Sequence, residues 1–145
     1  MLMNKLMEPY WQEALDWRGL ALPLELETQI AQKIAQLDSS EEEHFHLRDF
    51  GIFKDYLSFG LRAVESLFER FRKFERSAPL VAYISLDDGS LMDEETSEED
   101  LEFWFDCAVH FHLKGDCKSN FMQNNIDECM QPVLIIDSND AIFQT

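Results

Sequence analysis

The chain has 145 residues, with 29 Asp and Glu against 12 Lys and Arg for a formal net charge of −17, and 46% of it is hydrophobic, including twelve Phe. That much apolar surface excludes an acidic disordered chain, and the length suits one domain with a single core. The shortage of Lys and Arg counts against direct binding to nucleic acid or to an anionic membrane surface, since cationic side chains hold both.

The N-terminal stretch, MLMNKLMEPYWQEALDW, has no apolar run long enough for a signal h-region, and no later stretch approaches a membrane span, so a cytoplasmic location is expected. Glu8 to Trp17 has Pro9 in its first turn and Tyr10, Trp11, Ala14 and Leu15 at helical spacing, which predicts a short helix ending before Gly19 as C-cap. From Pro23, the residues Leu26, Ile30, Ile34 and Leu37 recur every three or four positions opposite Glu27, Gln32, Lys33 and Gln36. This is an amphipathic helix. It stops at Asp38-Ser39-Ser40, where Ser39 or Ser40 is placed to cap a further turn carrying Glu41, Glu42 and Glu43 at its N-terminus.

Phe50 to Arg76 is the longest periodic stretch. Phe53, Leu57, Leu61, Val64, Phe68 and Phe71 form one stripe opposite Arg62, Glu65, Glu69, Arg72 and Lys73, and we read it as the central core helix. The aromatic stripe is core packing before it is a ligand groove. The basic cluster Arg70, Arg72, Lys73 and Arg76 complements the C-terminal helix dipole or the protein's own carboxylates.

Past Ala78-Pro79 the pattern changes to strand. Leu80 to Leu86 is a short apolar run closed by Asp87-Asp88-Gly89. Leu101, Phe103, Phe105, Cys107, Val109, Phe111 and Leu113 then occupy every odd position up to Lys114, which reads as a long half-buried strand; a helix capped at Ser97 is the alternative. Cys117 to Gln131 is polar, loop or short helix. Pro132 to Asp137 reads as a further strand, with Ala141 to Gln144 as an added edge. The fold expected is α+β in one domain: a helical part, 1–78, with a long core helix over about 50–76, packed on a small, mainly antiparallel sheet in an acidic part, 79–145.

The charge is uneven. Residues 1–76 hold fourteen acidic and ten basic side chains, whereas 77–145 hold fifteen acidic against only Lys114 and Lys118. Ten carboxylates fall between Asp87 and Asp106, at Asp87, Asp88, Asp93, Glu94, Glu95, Glu98, Glu99, Asp100, Glu102 and Asp106, with no Lys or Arg among them. Like charges at this density repel within one molecule, and a cationic partner relieves the repulsion. A solvated surface that keeps the protein in solution is the plain alternative. Trp104 shares a strand face with Glu102 and Asp106, the anatomy of an aromatic anchor with an electrostatic rim. Those ten carboxylates and Trp104 are therefore the expected partner-binding residues.

All four histidines lie in two copies of one tripeptide, His44-Phe45-His46 and His110-Phe111-His112. On a strand, His110 and His112 share a face with Asp106, a possible metal set; solvent-facing imidazoles beside carboxylates are the simpler reading. Three cysteines, Cys107, Cys117 and Cys129, fit neither a disulfide framework nor a close zinc pair. Nucleotide-binding, hydrolase and calcium-loop motifs are absent from the sequence, so neither an enzyme nor a cofactor is expected.

In size, acidity and α+β architecture the chain resembles the bacterial immunity proteins that neutralise cognate nuclease toxins of contact-dependent inhibition and polymorphic-toxin systems. The resemblance is global and carries no diagnostic motif, so it transfers no functional residue. It implies a protein that covers the nucleic-acid cleft of a basic toxin domain. The alternatives are a DNA mimic acting on a nucleic-acid-binding protein, and a metal-dependent enzyme built on His110, His112 and Asp106.

Overall fold

The computed structural model describes residues 1–14, 16–37, 42–74, 78–87, 106–114 and 126–140. Over these residues the fold is α+β: three α-helices, α1 (Glu8–Glu13), α2 (Leu24–Ala35) and α3 (Tyr56–Phe71), pack with a five-stranded antiparallel sheet. Its strands are β1 (Leu2–Met3), β2 (Glu43–His46), β3 (Leu80–Asp87), β4 (Asp106–Leu113) and β5 (Val133–Asp137), in the order β1-β5-β3-β4-β2.

α3 carries the core. Leu57, Leu61, Val64, Phe68 and Phe71 of the predicted stripe are buried on it, together with Ala63 and Leu67. They pack with Leu26, Ile30 and Ile34 of α2 and with one face of the sheet. At about 1.5–3 kcal/mol for each large apolar side chain removed from water, this seam is the main stabilising element of the fold. Gly60 sits where α3 comes closest to the sheet: a β-carbon there would lie 3.2 Å from Cys107 Sγ and 3.3 Å from Ile84 Cγ2.

The alternation read over 101–114 holds wherever it is described. Cys107, Val109, Phe111 and Leu113 point into the α3 side of the core, which settles strand over helix for β4; residues 101–105 lie outside the described residues. β3 is buried along nearly its whole length because both its faces are covered. Leu80, Ala82, Ile84 and Leu86 face α3, and Val81 and Tyr83 join Ile126, Val133 and Ile135 in a second cluster on the far face.

Several expectations are corrected. The long helix starts at Tyr56 and not at Phe50, because the preceding chain turns through two left-handed residues, Gly51 at φ 80° and Asp55 at φ 51°. Phe53 therefore falls off the stripe and is 62% exposed. Glycine meets no steric penalty at such a φ, and aspartate tolerates it better than most residues. α1 stops at Glu13, since Ala14 is extended, and Gly19 closes a short 3-10 turn over Trp17–Gly19 and caps no α-helix. The helical turn expected to carry Glu43 is a strand in that part: Phe45 and Leu47 are buried with His44 and His46 between and beside them, a period of two. Both β1 and β2 thus come from the part read as helical, and the sheet is not confined to the C-terminal half. The expected edge strand at 141–144 lies outside the described residues.

Asn4 ties the N-terminus down. Its Nδ2 donates to the carbonyls of Ile126 (3.3 Å) and Gln131 (2.8 Å), while Oδ1 accepts from the backbone N–H groups of Met7 and Val133, both at 3.1 Å. Among the described residues, no helix is long and apolar enough to cross a membrane.

Candidate functional site

β3 and β4 pair along their whole length, and the last pair in register is Asp87 opposite Asp106. These are the two ends of the acidic block, so the chain over 88–105 leaves from and returns to one end of the sheet at points about 5 Å apart. Of the expected partner-binding residues, the structure brings Asp87 and Asp106 together; Asp88, Asp93, Glu94, Glu95, Glu98, Glu99, Asp100, Glu102 and Trp104 lie outside the described residues.

Beside this pair lies a cleft of about 320 Å³. α1 lends it Tyr10 and Glu13, the start of α3 lends Asp55, Tyr56 and Ser58, and the sheet supplies Asp87 and Asp106. Four carboxylates and two phenols line it, with no Lys or Arg among the described lining residues. Burial, foremost, raises the Tyr56 phenol above its ordinary pKa, with Asp106 adding to the effect and Arg48 opposing it. The phenol therefore remains a neutral donor at physiological pH. A cationic side chain entering this cleft would meet carboxylates at charge-assisted hydrogen-bond range and aromatic faces beside them.

Tyr10, Glu13, Asp55 and Tyr56 were not foreseen as site residues. Nothing local marks them: they belong to segments far from the acidic block in sequence, and only the packing of α1 and α3 against the end of the β3–β4 pair collects them.

On the far face of the sheet the histidines form a row. β2 and β4 pair with His44 opposite His110 and His46 opposite Ala108. The rings of His44 and His110 are stacked at 5.3 Å between centroids, and those of His44 and His46 meet edge-on at 5.5 Å. His46 Nδ1 lies 2.8 Å from Asp106 Oδ2, and His110 Nδ1 lies 2.7 Å from Glu42 Oε1. Asp106 also accepts from the backbone N–H of Cys107 at 2.7 Å and, more weakly, from that of Arg48 at 3.4 Å. For His44, burial, the neighbouring His110 and His46, and Lys33 lower the pKa against the opposing pull of Glu42.

His112 departs from the expected solvent-facing imidazole. It is fully buried; Nδ1 donates to the Leu113 carbonyl at 2.8 Å and Nε2 bonds to the Tyr83 hydroxyl. Both ring nitrogens are committed, so His110, His112 and Asp106 are not brought together as a ligand set. As the side chains stand, no three His, Cys, Asp or Glu among the described residues are arranged to hold a metal ion.

Residues 41–145 match the model of a family described as the uncharacterized protein PM0498 family. No curated protein and no solved structure matches the chain.

Proposed function

We propose that this chain, a member of the uncharacterized protein PM0498 family, is a binding protein of the immunity type. On this reading it acts in the cytoplasm, meets a basic nuclease toxin domain with its acidic surface, and neutralises the toxin by occluding its nucleic-acid cleft, with no reaction of its own. The observation that supports this most is the end of the β3–β4 pair. There Asp87 and Asp106 stand opposite each other next to a cleft that adds Glu13, Asp55 and two tyrosines. The two strand ends that bracket the acidic segment in sequence, Asp87 and Asp106, stand at a fixed place on the sheet, and the cleft beside them offers a seat for an arginine or lysine of the partner. The net charge of −17 favours the encounter, since opposed fields raise association rates towards about 10⁸ M⁻¹s⁻¹ at low salt.

The test begins with the immobilised chain capturing basic proteins from the native cell at low salt, followed by association kinetics with the captured protein. Reversing Asp93, Glu94, Glu98 and Glu99 to lysine, or Glu13 and Asp87 to lysine, is expected to slow association by about tenfold or more and to flatten its salt dependence. The captured protein should lose nuclease activity when the wild-type chain is added. A salt-independent rate that the reversals leave unchanged, or a nuclease that stays active in the complex, would overturn the reading.

A further inference from the structure

We propose that the groove between the segment entering α2 and the turn entering α3 binds a small amphiphile with a single anionic head, a monocarboxylate with an apolar acyl or aryl body. The groove shares no lining residue with the acidic cleft, and the inference is independent of the partner-binding reading.

The cavity measures about 500 Å³, inside the range of about 300–1,000 Å³ in which small-molecule sites fall. Leu22 and Pro23 line it from the segment before α2, Ile52, Phe53 and Lys54 from the turn before α3, and Phe59 from α3 itself. Ile52 is buried, and Leu22 and Phe59 pack against the main core, so the apolar lining is fixed by the fold. A concave apolar surface with one well-placed polar group is the usual anatomy of a small-molecule site.

The backbone presents Phe53 and Lys54 deliberately. Gly51 and Asp55, the two left-handed residues, bracket them and turn the chain so that Phe53 leaves the α3 stripe and stands largely exposed beside the groove. An aspartate at positive φ carries a steric cost that an ordinary continuation of the helix would avoid. The core gains nothing from Phe53 in this position. An apolar body lying in the groove gains contact with its ring and removes both surfaces from water.

The sign of the charge selects the head group. In a chain with 29 acidic residues against 12 Lys and Arg, the described residues lining this groove include a lysine and no carboxylate. Lys54 is exposed and forms no ion pair among the described residues, and the Arg48 guanidinium lies 5.5 Å from the centroid of the Phe53 ring. Asp49 and Asp55 are near in sequence but do not line the groove, and Asp55 lines the acidic cleft. A basic protein partner is therefore a poor occupant. A polyanion is also disfavoured, since it would reach the negative surface that surrounds the groove. At physiological ionic strength charges beyond about 8 Å are largely screened, so one carboxylate seated here meets Lys54 and Arg48 before the rest of the molecule.

The test titrates the full chain with octanoate, followed by calorimetry and by the NMR methyl signal of Ile52, which reads the groove locally; 1-octanol and octylammonium are the neutral and cationic counterparts. One octanoate per chain is expected, bound more tightly than either counterpart. Lys54→Glu should weaken octanoate by about tenfold or more and leave octanol unchanged, whereas Phe53→Ser should weaken both by about tenfold. Both residues are exposed, and circular dichroism checks that the variants are folded. The proposal is overturned if octanoate fails to shift the Ile52 methyl saturably, if Lys54→Glu binds octanoate as the wild type does, or if octylammonium binds the groove as tightly. Sedimentation equilibrium that shows a dimer dissociated by Phe53→Ser would also overturn it, because a second copy of the chain would then cover the groove.

Discussion

Replacing Asn4 tests how the N-terminal segment is locked to the far end of the chain. The side chain is 2% exposed and makes four hydrogen bonds, two donated to the carbonyls of Ile126 and Gln131 and two accepted from Met7 and Val133 N–H. Asn4→Ala removes all four and leaves buried backbone groups unpaired. At roughly 1 kcal/mol net per bond, with more for groups that water cannot reach, the cost is about 3–5 kcal/mol. With a urea m-value of about 2 kcal/mol/M, the midpoint should fall by about 1.5–2.5 M, followed by tryptophan fluorescence. Asn4→Asp keeps the two accepted bonds but turns a carboxylate towards two carbonyl oxygens. Burial and those oxygens favour its protonated form, so its folded pKa exceeds the unfolded value of about 3.9. The deficit is then smallest below that pH and grows as pH rises through the folded pKa. A loss under about 1 kcal/mol for Asn4→Ala, or an Asn4→Asp variant no more stable in acid relative to wild type than at neutrality, refutes this account of the N-terminus.

Two further outcomes check the packing beneath the site. Gly60→Val should lower the melting temperature by about 5–10 °C, because its branched side chain is driven into Cys107 and Ile84 where even a single β-carbon is tight; a wild-type melting temperature would mean that α3 and the sheet are further apart than described. Cys107 is fully buried, and burial followed by the charge of Asp106 pushes its thiol far above the ordinary range, so it should resist thiol reagents until the protein unfolds while half-buried Cys129 reacts first. Peptide mapping that finds both labelled at one rate in the native state contradicts this.

The parts of the fold legible from sequence are those whose pattern is local. Leu26, Ile30 and Ile34 announce α2, and the odd-numbered run from Cys107 to Leu113 announces β4, because burial on one side imposes its period on consecutive residues. The start of α3 was not legible: Phe53 continues the stripe by coincidence, and what ends the helix is the left-handed turning of Gly51 and Asp55, a backbone choice that a hydrophobic pattern does not record. β2 has only four residues and β1 two, and each owes its existence to a partner distant in the chain, β4 and β5 respectively. The same holds for the candidate sites. The acidic block and the twin HFH tripeptides are plain in the sequence, but the facing of Asp87 with Asp106, the addition of Glu13 and Tyr56, and the meeting of His44 with His110 all depend on register.

Asp106 belongs to both arrangements, and this decides which variants separate them. It stands opposite Asp87 at the acidic end of the sheet, and its Oδ2 accepts from His46 in the imidazole row. A loss of partner binding in Asp106→Asn therefore has two causes that the measurement does not distinguish: removal of a negative charge from the cleft, or loosening of His46. Asp87→Asn removes a charge from the cleft, and His110→Ala removes an imidazole whose carboxylate partner, Glu42, is not among the cleft-lining residues. If the acidic end of the sheet recognises the partner, Asp87→Asn slows association and His110→Ala leaves it unchanged; equal slowing by the two variants would refute the assignment of recognition to the acidic end.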